Sequence, residues 1–357
     1  MTTATRLAAL RQLLRSRGYD ALVIPRADEH LGEYIPLHNE RLLWATGFTG
    51  SAGMAVILRD RAGIFVDGRY TVQVRQQVPA ADFSYHHLLE EPPVEWLLAC
   101  LQPGARVAVD PRLHNLQWLH QTEAELAAAD LVLCLDTDNL VDRCWHDRPA
   151  AQVEPALLLD EAHTGESSVS KRDRIGAAVK ALDADAALIF APDSVSWLLN
   201  LRGRDVPCLP VLQSLALLWT DGSVDLVVEP ARMPTGWQQH CGANVRLHTP
   251  AEAEALLGAQ AGKRVLADPV TANAWSQQLL EQGGATLVAG TDPVLLPKAC
   301  KNAVEIAGTR AAHVRDAVAV VRFLAWLDGE QAEGRLYDEA QLADRLLDFR
   351  SGAEHFQ

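Results

Sequence analysis

Arg106 to Pro111 reads RVAVDP, and Arg264 to Pro269 reads RVLADP. The two stretches stand 158 positions apart (264 − 106). Each is a short apolar run closed by Asp-Pro, which reads as a buried strand ending at a turn. Outward from this pair, the same pieces recur in the same order. Ala21 to Pro25 (ALVIP) is echoed by Ala187 to Pro192 (ALIFAP), at an offset of 166 (187 − 21). Leu42 to Phe48 (LLWATGF) is echoed by Trp197 to Gly203 (WLLNLRG), and Thr137-Asp138 by Thr291-Asp292. One echo is chance, but four in the same order predict two related domains in tandem.

The intervening sequence supplies helices and further strands. Leu7, Leu10 and Leu14 recur at helical spacing with Arg11, Arg15 and Arg17 between them, and Gly18 is a stop signal, so residues 4 to 17 read as a helix. Gly53 to Leu58 and Ile64 to Val66 read as strands flanking the Arg59–Gly63 turn. A helix carrying Trp118 and Leu119 and a strand from Leu131 to Leu135 follow. In the second half, residues 170 to 182 read as a helix, and Leu215 to Trp219 pairs with Val224 to Val228 across Asp221-Gly222. The fold class is therefore α/β, with two tandem mixed sheets covered by helices. Proline-containing stretches near Arg148–Pro155 and Pro293–Pro297 mark the boundaries, giving domains at 1–148, 149–297 and 298–357.

After Pro297 the pattern changes. Lys301 to Asp328 reads as a helix with one apolar face through Ala311, Val314, Val318, Val321 and Ala325, and another through Ala317, Val320, Leu324 and Leu327. Tyr337 to Arg350 reads as a second helix. Two helices do not make an independent domain, so this third unit is expected to be cut short. Its apolar faces favour self-association, so a homodimer is a candidate assembly.

Composition excludes several classes. With 357 residues and 48% hydrophobic content, the chain has ample material for packed cores. Its formal net charge of −14 makes nucleic acid a poor partner. No apolar run reaches bilayer-spanning length, and Met1 to Ala9 does not read as a secretory signal. The cysteines at 100, 134, 144, 208, 241 and 300 are too scattered for a disulfide framework or a zinc finger, as expected of reduced thiols in a cytoplasmic protein.

Glu40 to Gly53 (ERLLWATGFTGSAG) is a glycine-rich loop without the GK[ST] of a phosphate loop or the spacing of a dinucleotide fingerprint. Its ordinary role is close approach of backbone segments. Asp67 to Tyr70 (DGRY) follows the IFV strand and places Arg69 at a strand end, where a surface arginine paired with Asp67 is the ordinary reading. Asp136 with Asp138, and His86 with His87, are the best local candidates for a metal. Adjacent residues on a strand point to opposite faces, however, and carboxylates near a turn are commonly caps.

These motifs resemble the aminopeptidase P (Xaa-Pro aminopeptidase) family of metallopeptidases. The matching pieces are HNERLLWATGFTGSAG from His38, DGRYTVQ from Asp67, NLVDRCWHDRP from Asn139, SVSWLLNLRGRDVPCLPV from Ser194, and LPKACKNAVEIAGTRAAHVRDAVAVVRFLAWL from Leu296. They keep the family's order over essentially the whole chain. The resemblance implies two creatinase-like N-terminal domains and a C-terminal pita-bread domain. It implies removal of the first residue from peptides with proline second. It implies two divalent ions, manganese or zinc, held by two Asp, two Glu and one His, with a bridging hydroxide as nucleophile.

In the family pattern all five metal ligands, and a substrate-binding histidine, fall beyond the position of Gln357. The chain is thus expected to bind no catalytic metal and to be inactive alone, as the N-terminal part of the enzyme. His313 matches a helix histidine of the family, not the ligand. Arg69 matches an arginine that contacts the peptide substrate, and it is the one candidate site residue. Two other readings remain open. One is a non-catalytic creatinase-like binding or assembly module. The other is creatinase itself, which the NLRGRDVP and GFTGSAG pieces resemble less.

Overall fold

The ALVIP and ALIFAP echoes each become an inner strand of a six-stranded sheet in the computed structural model, which describes residues 1–151, 153–354 and 356. Gln152, in the proline-rich boundary, and His355 and Gln357, at the end of the last expected domain, lie outside the described residues.

The first half contributes β1 (Ala21–Pro25), β2 (Gly53–Leu58), β3 (Ala62–Val66), β4 (Ser84–His87), β5 (Arg106–Val109) and β6 (Val132–Leu135), in the order β4-β3-β2-β1-β5-β6. A two-stranded ribbon of β7 (Leu157–Leu158) and β9 (Leu201–Arg202) opens the second half. The second sheet takes β8 (Ala186–Ile189), β10 (Leu215–Trp219), β11 (Val224–Val227), β12 (Val245–His248), β13 (Arg264–Ala267) and β14 (Thr286–Ala289), in the order β12-β11-β10-β8-β13-β14. Strand directions match as well. β1 is antiparallel to β2 and parallel to β5, as β8 is antiparallel to β10 and parallel to β13. The two sheets are one topology used twice.

The repeated sequence has a repeated physical cause. Asp20 accepts the Arg106 amide at 2.9 Å, and Asp185 accepts the Arg264 amide at 2.8 Å, so each joins its inner strand to the next. The Asp of RVAVDP and RVLADP ends its strand. Asp110 accepts from the Arg112 amide and Asp268 from the Val270 amide, at 3.0 and 2.9 Å. Both strands therefore stop before the Asp-Pro, shorter than the sequence pattern suggests. The helices Leu116–Ala127 and Ala274–Gln282 are capped by the matching residues Asn115 and Asn273.

Those two caps also meet each other. Asn115 and Asn273 form an antiparallel bridge, and Asn273 Nδ2 donates to the carbonyls of Glu29 and Arg112. The amide of Ala274 donates to the carbonyl of His114 at 2.8 Å. The first-half core around Leu97, Leu119 and Leu126 includes Ala274 from the second half. Residues Met1–Leu158 and Ser168–Lys298 accordingly form one compact unit.

The opening helix Thr3–Arg17 covers one face of the first sheet with fully buried Leu7, Leu10 and Leu14. Its end is set by Gly18 at φ +70°, a conformation glycine adopts without strain. All six cysteines are free thiols.

His114 is buried against the Trp118 ring at 3.8 Å between centroids, and burial pushes its imidazole pKa down to about 3. An unfolded histidine titrates near 6.5. Between the two values the unfolded chain binds a proton that the folded chain does not, so stability falls as pH drops below about 6.5. At pH 5 this amounts to about 2 kcal/mol. His114→Phe keeps the ring stack and removes the titration. Its urea midpoint should fall less than that of wild type between pH 7 and pH 5. Equal falls would show that His114 carries no such linkage.

Leu159–Ser167 and Ala299–Gln357 form a second compact unit. The helix Ala303–Ala332 begins at a capping box of Asn302 and Glu305, and Asn302 Nδ2 donates to the Thr164 carbonyl at the end of the short helix Glu161–Thr164. The helix Glu339–Ser351 folds back on it, with Phe323 against Phe349 and an Arg350–Asp316 ion pair of 2.7 Å. Val314, Val318, Val321 and Leu324 on the long helix are exposed, and Ala319 is its buried residue. His313 bonds the Thr309 carbonyl one turn back.

Candidate functional site

β3 delivers the chain to Asp67, whose carboxylate accepts the Arg69 amide at 2.9 Å and so caps the single 3-10 turn Gly68–Tyr70. The same carboxylate takes the Arg69 guanidinium, with Nε at 3.2 and 3.1 Å from its two oxygens and Nη2 at 2.6 Å. That hydrogen bond holds the Asp67 carboxyl below its usual range. The Arg69 side chain is 62% exposed and lies over the Tyr70 ring at 5.2 Å.

Tyr70 is itself supported by the glycine-rich loop. Its hydroxyl is 2.8 Å from Ser51 Oγ, and Phe48 meets its ring edge-on at 5.5 Å. A Cβ on Gly50 would stand 2.2 Å from Phe48 Cζ, so the loop closes over Phe48 only because that residue is glycine. The GFTGSAG stretch is thus a floor for the Tyr70–Arg69 turn. Arg69 occupies the Asp67-paired geometry of an ordinary surface arginine, with its outer face open to solvent.

The HNER and DRP motifs meet far from their positions in sequence. Arg41, whose side chain is 1% exposed, donates to Asp142 at 2.8 and 3.0 Å and to Glu29 at 2.7 Å. Arg148 reaches the same Asp142 at 2.8 Å, Asn39 at 2.9 Å and the His38 carbonyl at 2.6 Å. Asn39 donates to Glu29 at 2.8 Å, and Trp44 stacks on Trp145. The Glu29 carboxyl is held down to about 2: burial opposes ionisation, and the Arg41 charge and hydrogen bonds outweigh it. These motif residues work as internal struts.

The second-half motif is also structural. Asn200, at φ +53°, accepts Lys171 Nζ at 2.7 Å, and that ammonium sits 4.0 Å from the Trp197 ring centre. A Cβ on Gly203 would lie 2.4 Å from the Val211 carbonyl oxygen. Asp205 pairs with Arg232, both nearly buried, and accepts the Gln213 amide at 2.5 Å. Arg232 lies in the 3-10 turn Pro230–Arg232 just after β11, the repeat position of the Arg69 turn after β3. One fold position thus carries a locked arginine in the second domain and an exposed one in the first. Sequence reading did not single out Arg41, Glu29, Lys171 or Asp205, because their partners lie 8 to 101 residues away.

The described residues do not assemble the ligand set of a dinuclear metal centre. Among the described residues no group of three or more His, Cys, Asp and Glu side chains is gathered to hold an ion. Asp136 and Asp138 are engaged by Arg17, and Asp138 also by Arg143. His86 stacks on Phe65 and bonds Glu91, while the His87 ring accepts the amides of Leu89 and Glu90.

Residues 6–144 and 147–305 each match a model of the creatinase/prolidase N-terminal domain. The chain therefore carries two such domains in tandem. Over nearly its whole length it is also similar to Xaa-Pro aminopeptidases. It is 33% identical to Xaa-Pro aminopeptidase 2 of Rattus norvegicus, over 99% of this chain and 52% of that protein. It is 32% identical to Xaa-Pro aminopeptidase ApepP of Drosophila melanogaster, over 99% of this chain and 60% of that protein. The X-prolyl aminopeptidase of Caenorhabditis elegans, described as a cytosolic enzyme with a di-nuclear active site, superposes with a TM-score of 0.92 at 29% identity, over 99% of this chain and 60% of that one. The chain spans between about half and three-fifths of these relatives.

Proposed function

We propose that this chain forms the N-terminal, substrate-facing part of a metal-dependent Xaa-Pro aminopeptidase, a hydrolase that removes the first residue from peptides with proline second. The observation that carries this reading is the superposition with the C. elegans enzyme over 99% of the chain. In this reading domains I and II cover residues 1–148 and 149–297, and residues 298–357 begin a pita-bread domain. The two divalent ions, manganese or zinc, belong to the longer enzyme, and these 357 residues alone are inactive. The description of the C. elegans relative as cytosolic supports a cytoplasmic location. The homodimer rests on the exposed apolar face of the helix Ala303–Ala332 alone.

Arg69 is the proposed peptide contact. A guanidinium offers five donors in a fixed fork, which suits peptide carbonyls or a carboxylate. The rigid floor of Tyr70 and Phe48 would hold it at the sheet edge. In the longer enzyme, Arg69→Ala should lower kcat/KM for short Xaa-Pro peptides by about tenfold or more. Melting temperature and metal content should barely change, because the pair it loses is on the surface. A kcat/KM within about twofold of wild type would make Arg69 a surface residue and nothing more.

A further inference from the structure

The guanidinium of Arg69 carries five N–H donors, and Asp67 takes them from one side only. The carboxylate engages Nε through both oxygens and Nη2 through one. Both hydrogens of Nη1 and one of Nη2, the end of the fork, are left over on an exposed side chain. Asp67 cannot swing away freely, because it also accepts the Arg69 amide at 2.9 Å and so caps the turn. The pair therefore presents free donors with little net charge. Its neighbours do not restore a positive field. The His87 ring, beside Gly68, accepts the amides of Leu89 and Glu90 at Nδ1, which only an uncharged imidazole does. Behind Asp67, Glu33 adds a second and weaker negative charge within reach of the guanidinium.

Elsewhere the chain shows what accompanies two carboxylates on one arginine. Glu29 and Asp142 share Arg41, and Arg148 supplies a second cation at Asp142. Asp136 and Asp138 share Arg17, and Arg143 is the second cation at Asp138. Among the described residues Asp67 pairs with Arg69 alone. A free carboxylate arriving at Arg69 is thus a second anion without a second cation. A neutral carbonyl takes the same free N–H groups and meets no such repulsion. We propose that Asp67 is a specificity-determining residue: it makes Arg69 a binder of neutral peptide carbonyls in preference to a free C-terminal carboxylate. The inference rests on the reading of Arg69 as the peptide contact.

The test is steady-state kinetics of the longer enzyme on one Xaa-Pro dipeptide, offered as the free acid and as its C-terminal amide. In a dipeptide the proline carboxyl group is the only group past the scissile bond that an arginine can bind. Asp67→Asn is the informative variant. Asparagine is a good cap whose Oδ1 still accepts the Arg69 amide, so the turn and the melting temperature are kept while the negative charge is removed. The ratio of kcat/KM for amide over acid should fall about threefold or more in Asp67→Asn. In Arg69→Ala, where turnover of the amide drops about tenfold, adding Asp67→Asn should leave the ratio unchanged. A merely structural role for Asp67 lowers both substrates alike and does not move the ratio. An unchanged ratio in Asp67→Asn while Arg69→Ala is impaired overturns the role of Asp67 and leaves Arg69 as the peptide contact. A fall of the ratio that persists without Arg69 overturns it as well. Full activity of Arg69→Ala on both substrates overturns the reading beneath it.

Discussion

Replacing Arg41 by methionine is expected to cost about 3–5 kcal/mol of folding stability, a large fraction of what a domain possesses. The guanidinium is 1% exposed and is the common partner of Glu29 and Asp142. Methionine fills much of the volume but leaves two carboxylates facing each other without their cation. Removing one member of such a pair costs more than the pair itself contributes, because the surviving carboxylates, 33% and 23% exposed, have given up part of their water. Arg148 still reaches Asp142, so Glu29 suffers most. The double variant Arg41→Met with Asp142→Leu should recover part of the loss. Urea unfolding at pH 7 measures both. A single-variant loss below about 1 kcal/mol would mean the network is solvated and of little weight.

A second large loss is expected from Asp205→Ala, again about 3–5 kcal/mol. The Asp205 and Arg232 side chains are 4% and 8% exposed, so the substitution strands a buried guanidinium. It also deprives the Gln213 amide of its acceptor, and Gln213 is the residue that reaches across to Asp28. The unfolding transition should therefore remain single but move to much lower urea, since the two domains share a core. Separate transitions for the two halves, with only the second one shifted, would show that they fold independently.

Much of this architecture was legible locally. ALVIP and ALIFAP each have an apolar pattern that only a strand buried on both faces needs, and they sit at equivalent places in sheets of identical order. Gly18 and the Asp residues of RVAVDP and RVLADP stop their elements through their own backbone chemistry, so their effect can be read from neighbours in sequence. The functional layer was less legible. Arg69 could be placed at a strand end beside Asp67, but a pair with Asp67 serves a structural and a substrate-binding arginine equally well. Arg41 looks in sequence like any polar helix residue. Its burial is decided by Asp142, 101 positions away, a partnership that no period or cap encodes.

On the proposed function, these two domains position a peptide while metal-assisted hydrolysis resides elsewhere in the longer enzyme. The most direct test is to assay the purified 357-residue chain with a peptide carrying proline second, in excess Mn²⁺. No release of the first residue is expected, because the described residues bring together no set of ligands to hold an ion and lower the pKa of its bound water. Turnover that follows the 357-residue chain through purification, and that disappears on chelation, would contradict it.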